Sequence, residues 1–172
     1  MTRLSLYLVT LLLGTHFPGP AIPQTPPAIT APVAGPLTID EMRLVDLVNY
    51  ERRSRGMKEL VVNPLLVRVA REHSREMCEL NYFDHFSPTP GLRTPKDRYL
   101  AALGHRPTWA MIAENLCYCS ITDVDRSHHA LMNSPAHREN ILNPEFEQIG
   151  IGVYESPDGK FWITQLFLTQ VD

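Results

Sequence analysis

The spacing of apolar residues changes character along this chain. In "LTIDEMRLVDLVNYERRSRG", from Leu37, the residues Met42, Val45 and Val48 fall on one stripe of a 3.6-residue period, which predicts an amphipathic helix. Thr38 and Glu41 stand three apart just ahead of that stripe, the signature of a capping box, and Gly56 marks the stop. A second helix starts at Asn63 with Pro64 in its first turn. Leu66, Val69, Ala70, His73, Met77 and Leu80 form its buried stripe, with His73 read as a hydrogen-bonded core residue. Thr94-Pro95 and Ser134-Pro135 repeat the cap-and-proline start for two short helices, the later one running through Ile141, and another helix begins at Asp123. Near the end the period drops to two. "IGIGVYE" and "FWITQLFLT" flank "SPDGK", a turn centred on Asp-Gly, so the segment is a C-terminal antiparallel hairpin. In its second strand Phe161, Ile163 and Phe167 point one way and Trp162, Leu166 and Leu168 the other. A strand apolar on both faces must be covered on both. Helices early, strands late and a sheet between helical layers define an α+β domain.

The N-terminal pattern is different. Arg3 precedes an apolar run, Leu4 to Leu13, too short to span a bilayer comfortably but suited to a signal-peptide core, with Gly19 and Ala21 at cleavage spacing. From Phe17 to Pro36 the chain holds seven of its 15 prolines and no charge, a composition that favours an extended linker. The expected organisation is a signal peptide over 1–21, a proline-rich linker over 22–36 and one folded domain over 37–172. Export to the extracellular space or cell envelope follows, with membrane attachment only through an uncleaved signal. The formal net charge is −3, which argues against a nucleic-acid partner. Three cysteines in an exported chain suggest one disulfide and one leftover thiol. Cys117 and Cys119 are too close for an easy bridge, so Cys78 with Cys117 or Cys119 is the expected pair, three free thiols being the alternative.

Six motifs then occur in order: "YFDHFSP" (82–88), "RTPKDR" (93–98), "AENL" (113–116), "NSPAHRENIL" (133–142), "IGIGV" (149–153) and "WITQLF" (162–167). Together they resemble the CAP superfamily of cysteine-rich secretory, venom-allergen and pathogenesis-related proteins, and in particular its short bacterial secreted branch. The resemblance covers nearly all of Asp40 to Thr169. It implies a three-layer α-β-α sandwich, the hairpin lying in a mixed or antiparallel sheet, and a cleft lined by histidines and acids. His85 matches the family's first cavity histidine, Glu114 the acid of its Gly-Glu-Asn motif with Ala113 in place of the glycine, and His137 the histidine of the bacterial branch. Trp162 stands where the animal proteins have a second cavity histidine, and their second glutamate has no counterpart, so the resemblance implies an incomplete metal cluster.

Without the family, His85, Glu114 and His137 are two imidazoles and a carboxylate on three separate segments. Such a set can hold zinc with an open position, act as an acid–base pair, or simply pin a cleft by hydrogen bonds. His128 and His129 are adjacent on a helix, about 100° apart, so at most one faces inward, and both are read as satisfied or exposed. Cys117 as a peptidase nucleophile is disfavoured in an exported chain with a nearby thiol partner. The expected function is a monomeric, non-enzymatic secreted binding module taking a lipid, small apolar molecule or peptide. The alternative is a metal-assisted or acid–base hydrolase acting on peptide or cell-envelope polymer.

Overall fold

The computed structural model describes residues 35–171. The expected signal peptide, and the linker apart from Gly35 and Pro36, lie outside the described residues. Five helices, α1 (Ile39–Arg53), α2 (Pro64–Glu79), α3 (Pro95–Leu103), α4 (Val124–Asn133) and α5 (Pro135–Ile141), surround four strands, β1 (Val61–Val62), β2 (Trp109–Cys119), β3 (Gln148–Glu155) and β4 (Phe161–Val171). The strands lie in the order β1-β3-β4-β2; β1 runs parallel to β3 and the other pairs are antiparallel, so the sheet is mixed.

The start signals place the helices where expected. Thr38 and Glu41 form the capping box of α1, Asn63 caps α2, and Thr94 with Asp97 makes a second capping box on α3. Ser134 stands at the start of α5 but makes no side-chain cap hydrogen bond, leaving Pro135 as the start signal there. The hairpin turn is closed by Ser156 N–H donating to Lys160 O at 2.9 Å, with Gly159 at φ +78°.

The two faces of β4 divide as its alternation predicts. Phe161, Ile163 and Phe167 join the core under α1, α4 and α5, whereas Leu166 and Leu168 pack with Leu66, Val69, Ala70 and Tyr99 of α2 and α3. Trp162 sits in a third cluster with Met77 and Leu116. Each of the first two stripes loses one end residue to solvent. Met42 is exposed while Leu44 is fully buried, because α1 turns Glu41 inward, where it receives Arg71 Nε at 2.7 Å and Val153 N–H at 3.3 Å. Leu80, at the C-cap of α2, is exposed.

The expected disulfide is absent. Cys78, Cys117 and Cys119 are all free. Cys78 packs in the cluster of Met77, Leu116 and Trp162, but Cys117 and Cys119 point into the core on the other side of β2. Alternation along the strand puts the sheet between the expected partners.

Candidate functional site

Glu114 lies in the middle of β2, the edge strand, and its side chain is 1% exposed. Both carboxylate oxygens are committed. Arg98 of α3, itself 4% exposed, donates from one terminal nitrogen to Oε2 at 2.6 Å. His85, on the loop between α2 and α3, donates from Nδ1 to Oε1 at 2.9 Å. A buried carboxylate is tolerable only with such partners. The other terminal nitrogen of Arg98 donates to the backbone oxygens of His85, Leu92 and Arg93, so the same guanidinium that neutralises Glu114 also fixes the loop carrying His85.

A second, half-buried carboxylate holds that loop from below. Glu76 of α2 accepts from Tyr82 at 2.6 Å, from Ser87 at 2.9 Å and from Thr89. Burial raises its pKa, but hydrogen bonds from His73, Thr89, Tyr82 and Ser87 outweigh burial and bring it to about 2. His73 donates from Nε2 to Asp84 O at 3.1 Å and lies 3.9 Å from Glu114 Oε1. It is the hydrogen-bonded core residue expected of it, and it backs the site.

His85 keeps its side chain 46% exposed, with Nε2 on the side away from Glu114. The hydrogen bond to Glu114 raises its pKa, against a smaller effect of burial. His137 on α5 is half-buried and its pKa is lowered, first by burial and then by the charge of His85. The two imidazoles therefore sit near each other with opposite preferences, one for the cation and one for the neutral ring. Helix α5 reaches this position because Asn115 donates to His137 O at 3.0 Å while Asn140 donates to Asn115 Oδ1 at 2.8 Å, tying the helix to the edge strand. His85 and Glu114 thus come together, with His137 brought alongside through its backbone tie to Asn115, and the three do not assemble as ligands around a common point. Among the described residues no group of three or more His, Cys, Asp or Glu side chains is placed to hold a metal ion. A zinc ion on Glu114 would also have to displace His85 from Oε1 or the Arg98 cation from Oε2, so these residues, as placed, do not fit the metal.

Arg98 and Glu76 are the residues that sequence reasoning leaves without a role. Arg98 lies within the "RTPKDR" motif, yet nothing in its spacing distinguishes a buried arginine from a solvated one. The nucleophile candidate Cys117 lies away from this cluster: burial and the neighbouring Cys119 push its thiol well above its ordinary pKa on the other face of the sheet.

His129 is exposed and His128 buried, so one of the pair faces inward as the helical geometry requires. The expectation that His128 is satisfied fails: neither ring nitrogen makes a hydrogen bond, and Glu51 Oε1 approaches Nε2 only to 3.9 Å. Burial lowers its pKa, with Glu51 and Asp125 opposing and His129 and Arg43 adding to the lowering. In the unfolded chain His128 takes its proton near the ordinary value of 6.5, and in the folded chain only at lower pH. Stability therefore falls as pH drops below 6.5. His85, with a raised pKa, acts the other way, contributing stability that is lost as pH rises through its folded value. The decisive comparison is between variants: His128→Leu should flatten the acid side of the profile, read as urea midpoint against pH, and leave the neutral side little changed.

Comparisons with known proteins decide the lineage. The family model for the cysteine-rich secretory protein family, CAP, matches residues 45–170. The chain belongs to this family. The CAP domain is 40% identical over 128 residues to the uncharacterised protein YkwD of Bacillus subtilis (strain 168), a match covering 74% of this chain and 46% of that protein. Among solved structures it is similar to an extracellular protein containing an SCP domain from Bacillus anthracis str. Ames, at 30% identity and TM-score 0.64, covering 79% of this chain and 45% of that one. An outer surface protein of Borrelia burgdorferi matches at TM-score 0.67 and 21% identity over 76% of this chain and 92% of its own, a likeness of fold. The chain spans less than half the length of the curated relatives it matches. Among the described residues no helix is long and apolar enough to cross a membrane. Trp162, standing at the expected place of the animal proteins' second cavity histidine, is almost fully buried and packs on Tyr118 at 5.0 Å.

Proposed function

We propose that this CAP domain is a secreted binding module whose His85–His137 cleft holds a ligand without turning it over. The observation that carries this reading is the full commitment of Glu114. With one oxygen on His85 and the other on Arg98, the carboxylate is neither a free base nor a free metal ligand. What remains on the solvent side is the outer nitrogen of a cation-favouring His85 beside a neutral-favouring His137, a pair suited to an anionic or hydrogen-bond-accepting group. A lipid carboxylate, a small apolar molecule with such a head, or a peptide meets that description. Exposed Phe86, next to His85 in the same loop, supplies apolar surface for the remainder of the ligand.

The test is calorimetry on chelator-stripped protein with palmitate, with a short peptide and with zinc, alongside His85→Ala and His137→Ala. The expected result is saturable binding of the palmitate or the peptide, weakened about tenfold or more by His85→Ala, roughly 1.4 kcal/mol. Zinc should give no heat that depends on the two histidines. Micromolar zinc binding lost in both variants would overturn this reading in favour of a metal-assisted hydrolase.

A second reading rests on the same 2.9 Å hydrogen bond. A carboxylate that orients an imidazole is the arrangement of an acid–base catalyst, here acting directly on water against a peptide or cell-envelope polymer. It predicts that His85→Ala and His137→Ala both abolish turnover of such a substrate, the latter with the thermal midpoint nearly unchanged.

A further inference from the structure

Beyond the histidine cleft, the loop from Tyr82 borders a second concavity. It has a volume of about 390 Å³, within the span of roughly 300–1,000 Å³ common for small-molecule sites. Three aromatic rings build it. Trp162 is nearly buried, Tyr118 lies 5.0 Å from it with the rings tilted by 55°, and Phe83 continues the row at 6.1 Å and 53°. Phe83 and Tyr118 are 52% and 43% exposed, so the row is an open ledge rather than a closed core. Around it stand Asn81, Ser156, Asp158 and Lys160.

The rim decides the class of ligand. Lys160 pairs with Asp158 at 2.8 Å, and Ser156 also donates to Asp158, so the charges balance locally and neither sign is presented to a partner. What the rim does offer is hydrogen-bond donors and acceptors in several directions, from an amide, a hydroxyl, an ammonium and a carboxylate. An acyl chain would desolvate these groups without offering them any hydrogen bond, at a cost. An anion would meet Asp158. A neutral ring with an apolar C–H face and peripheral hydroxyls satisfies both parts: the face lies on the aromatic rings and the hydroxyls exchange hydrogen bonds with the rim.

We propose that the Phe83–Tyr118–Trp162 ledge is a carbohydrate-binding subsite that takes a neutral pyranose unit of a polysaccharide. It is separate from the His85–His137 cleft and does not depend on that cleft's ligand. The two share only the loop that carries Phe83 and His85 two residues apart, so a glycan seated on the ledge would hold the cleft close to a polymer surface.

The experiment is a titration of the whole protein with chitotriose and with cellotriose, read by tryptophan fluorescence. The chain has two tryptophans, and Trp109→Phe leaves Trp162 as the reporter. The expected result is a saturable change with at least one of the two sugars that persists in Trp109→Phe and in His85→Ala. Phe83→Ala and Tyr118→Ala, both at exposed positions, should each weaken it tenfold or more. No saturable response to either sugar at tens of millimolar would overturn the proposal. So would a response that survives both aromatic variants, or competition in which a peptide or palmitate displaces the sugar from the ledge.

Discussion

Replacing Arg98 with methionine should cost about 3–5 kcal/mol of folding stability, the penalty for stranding a buried charge by removing its partner. Methionine replaces most of the side-chain volume, so the loss is electrostatic and polar rather than a cavity effect. Glu114 stays behind at 1% exposure, with His85 as its remaining partner at hydrogen-bond distance. The loop from His85 to Arg93 loses its backbone anchor as well. These two consequences are separable. The double variant Arg98→Met with Glu114→Gln removes the stranded charge but not the loss of the anchor, so it should recover part of the stability while leaving the loop loose. Urea unfolding of the wild type, both single variants and the double variant gives the coupling energy. Amide exchange over residues 85–93 reports the loop. Equal destabilisation in Arg98→Met and the double variant would mean that loop anchoring, not the buried charge, is what Arg98 contributes.

That experiment turns on residues whose type the sequence displays but whose burial it conceals. The helices were legible because capping chemistry is local: Thr38 with Glu41, Asn63 with Pro64, and Thr94 with Pro95 act within four residues and need no tertiary information. The hairpin was legible for the same reason, and because β4 shows its two apolar faces in its alternation. Strand β2 was not. Its centre is Glu114-Asn115, two buried polar residues whose partners come from α3, α5 and the 82–94 loop, and they break the alternation that marks a strand. The candidate site residues thus disguise the element that carries them. His85, Glu114 and His137 were found through motif resemblance, not through spacing, since their convergence depends on how α5 docks on the sheet edge. The disulfide expectation failed for a related reason. Cysteine counting carries no information about which face of a strand a thiol occupies.

The "IGIGV" motif illustrates a signal that was visible but ambiguous. Its glycines have no positive φ, so backbone conformation does not require them. The requirement is the neighbouring helix. A Cβ built on Gly152 would lie 2.0 Å from Arg71 N and 2.2 Å from Ala70 C, and one on Gly150 would lie 2.3 Å from Leu66 C. These are backbone atoms of α2 and cannot rotate away. The contact is reinforced by Ser74, whose hydroxyl donates to Gly152 O at 2.9 Å and meets Thr164 Oγ1 at 2.8 Å. Gly152→Ala should therefore cost more than the 1–3 kcal/mol or so of ordinary core overpacking, because α2 itself must shift off the sheet. The shift has a functional consequence. Helix α2 carries His73 and Glu76, which support the loop of His85, so the proposed cleft and the fold should fail together. An exposed glycine such as Gly91, with open space around it, is not a matched control because its φ is +78°, where alanine is strained in its own right. The better control is Ser74→Ala, which removes the hydrogen bonds at the same interface without pushing α2 away and should cost about 1–3 kcal/mol. If Gly152→Ala unfolds at nearly the same urea concentration as Ser74→Ala, the helix has room to move, and close approach is not what the glycine provides.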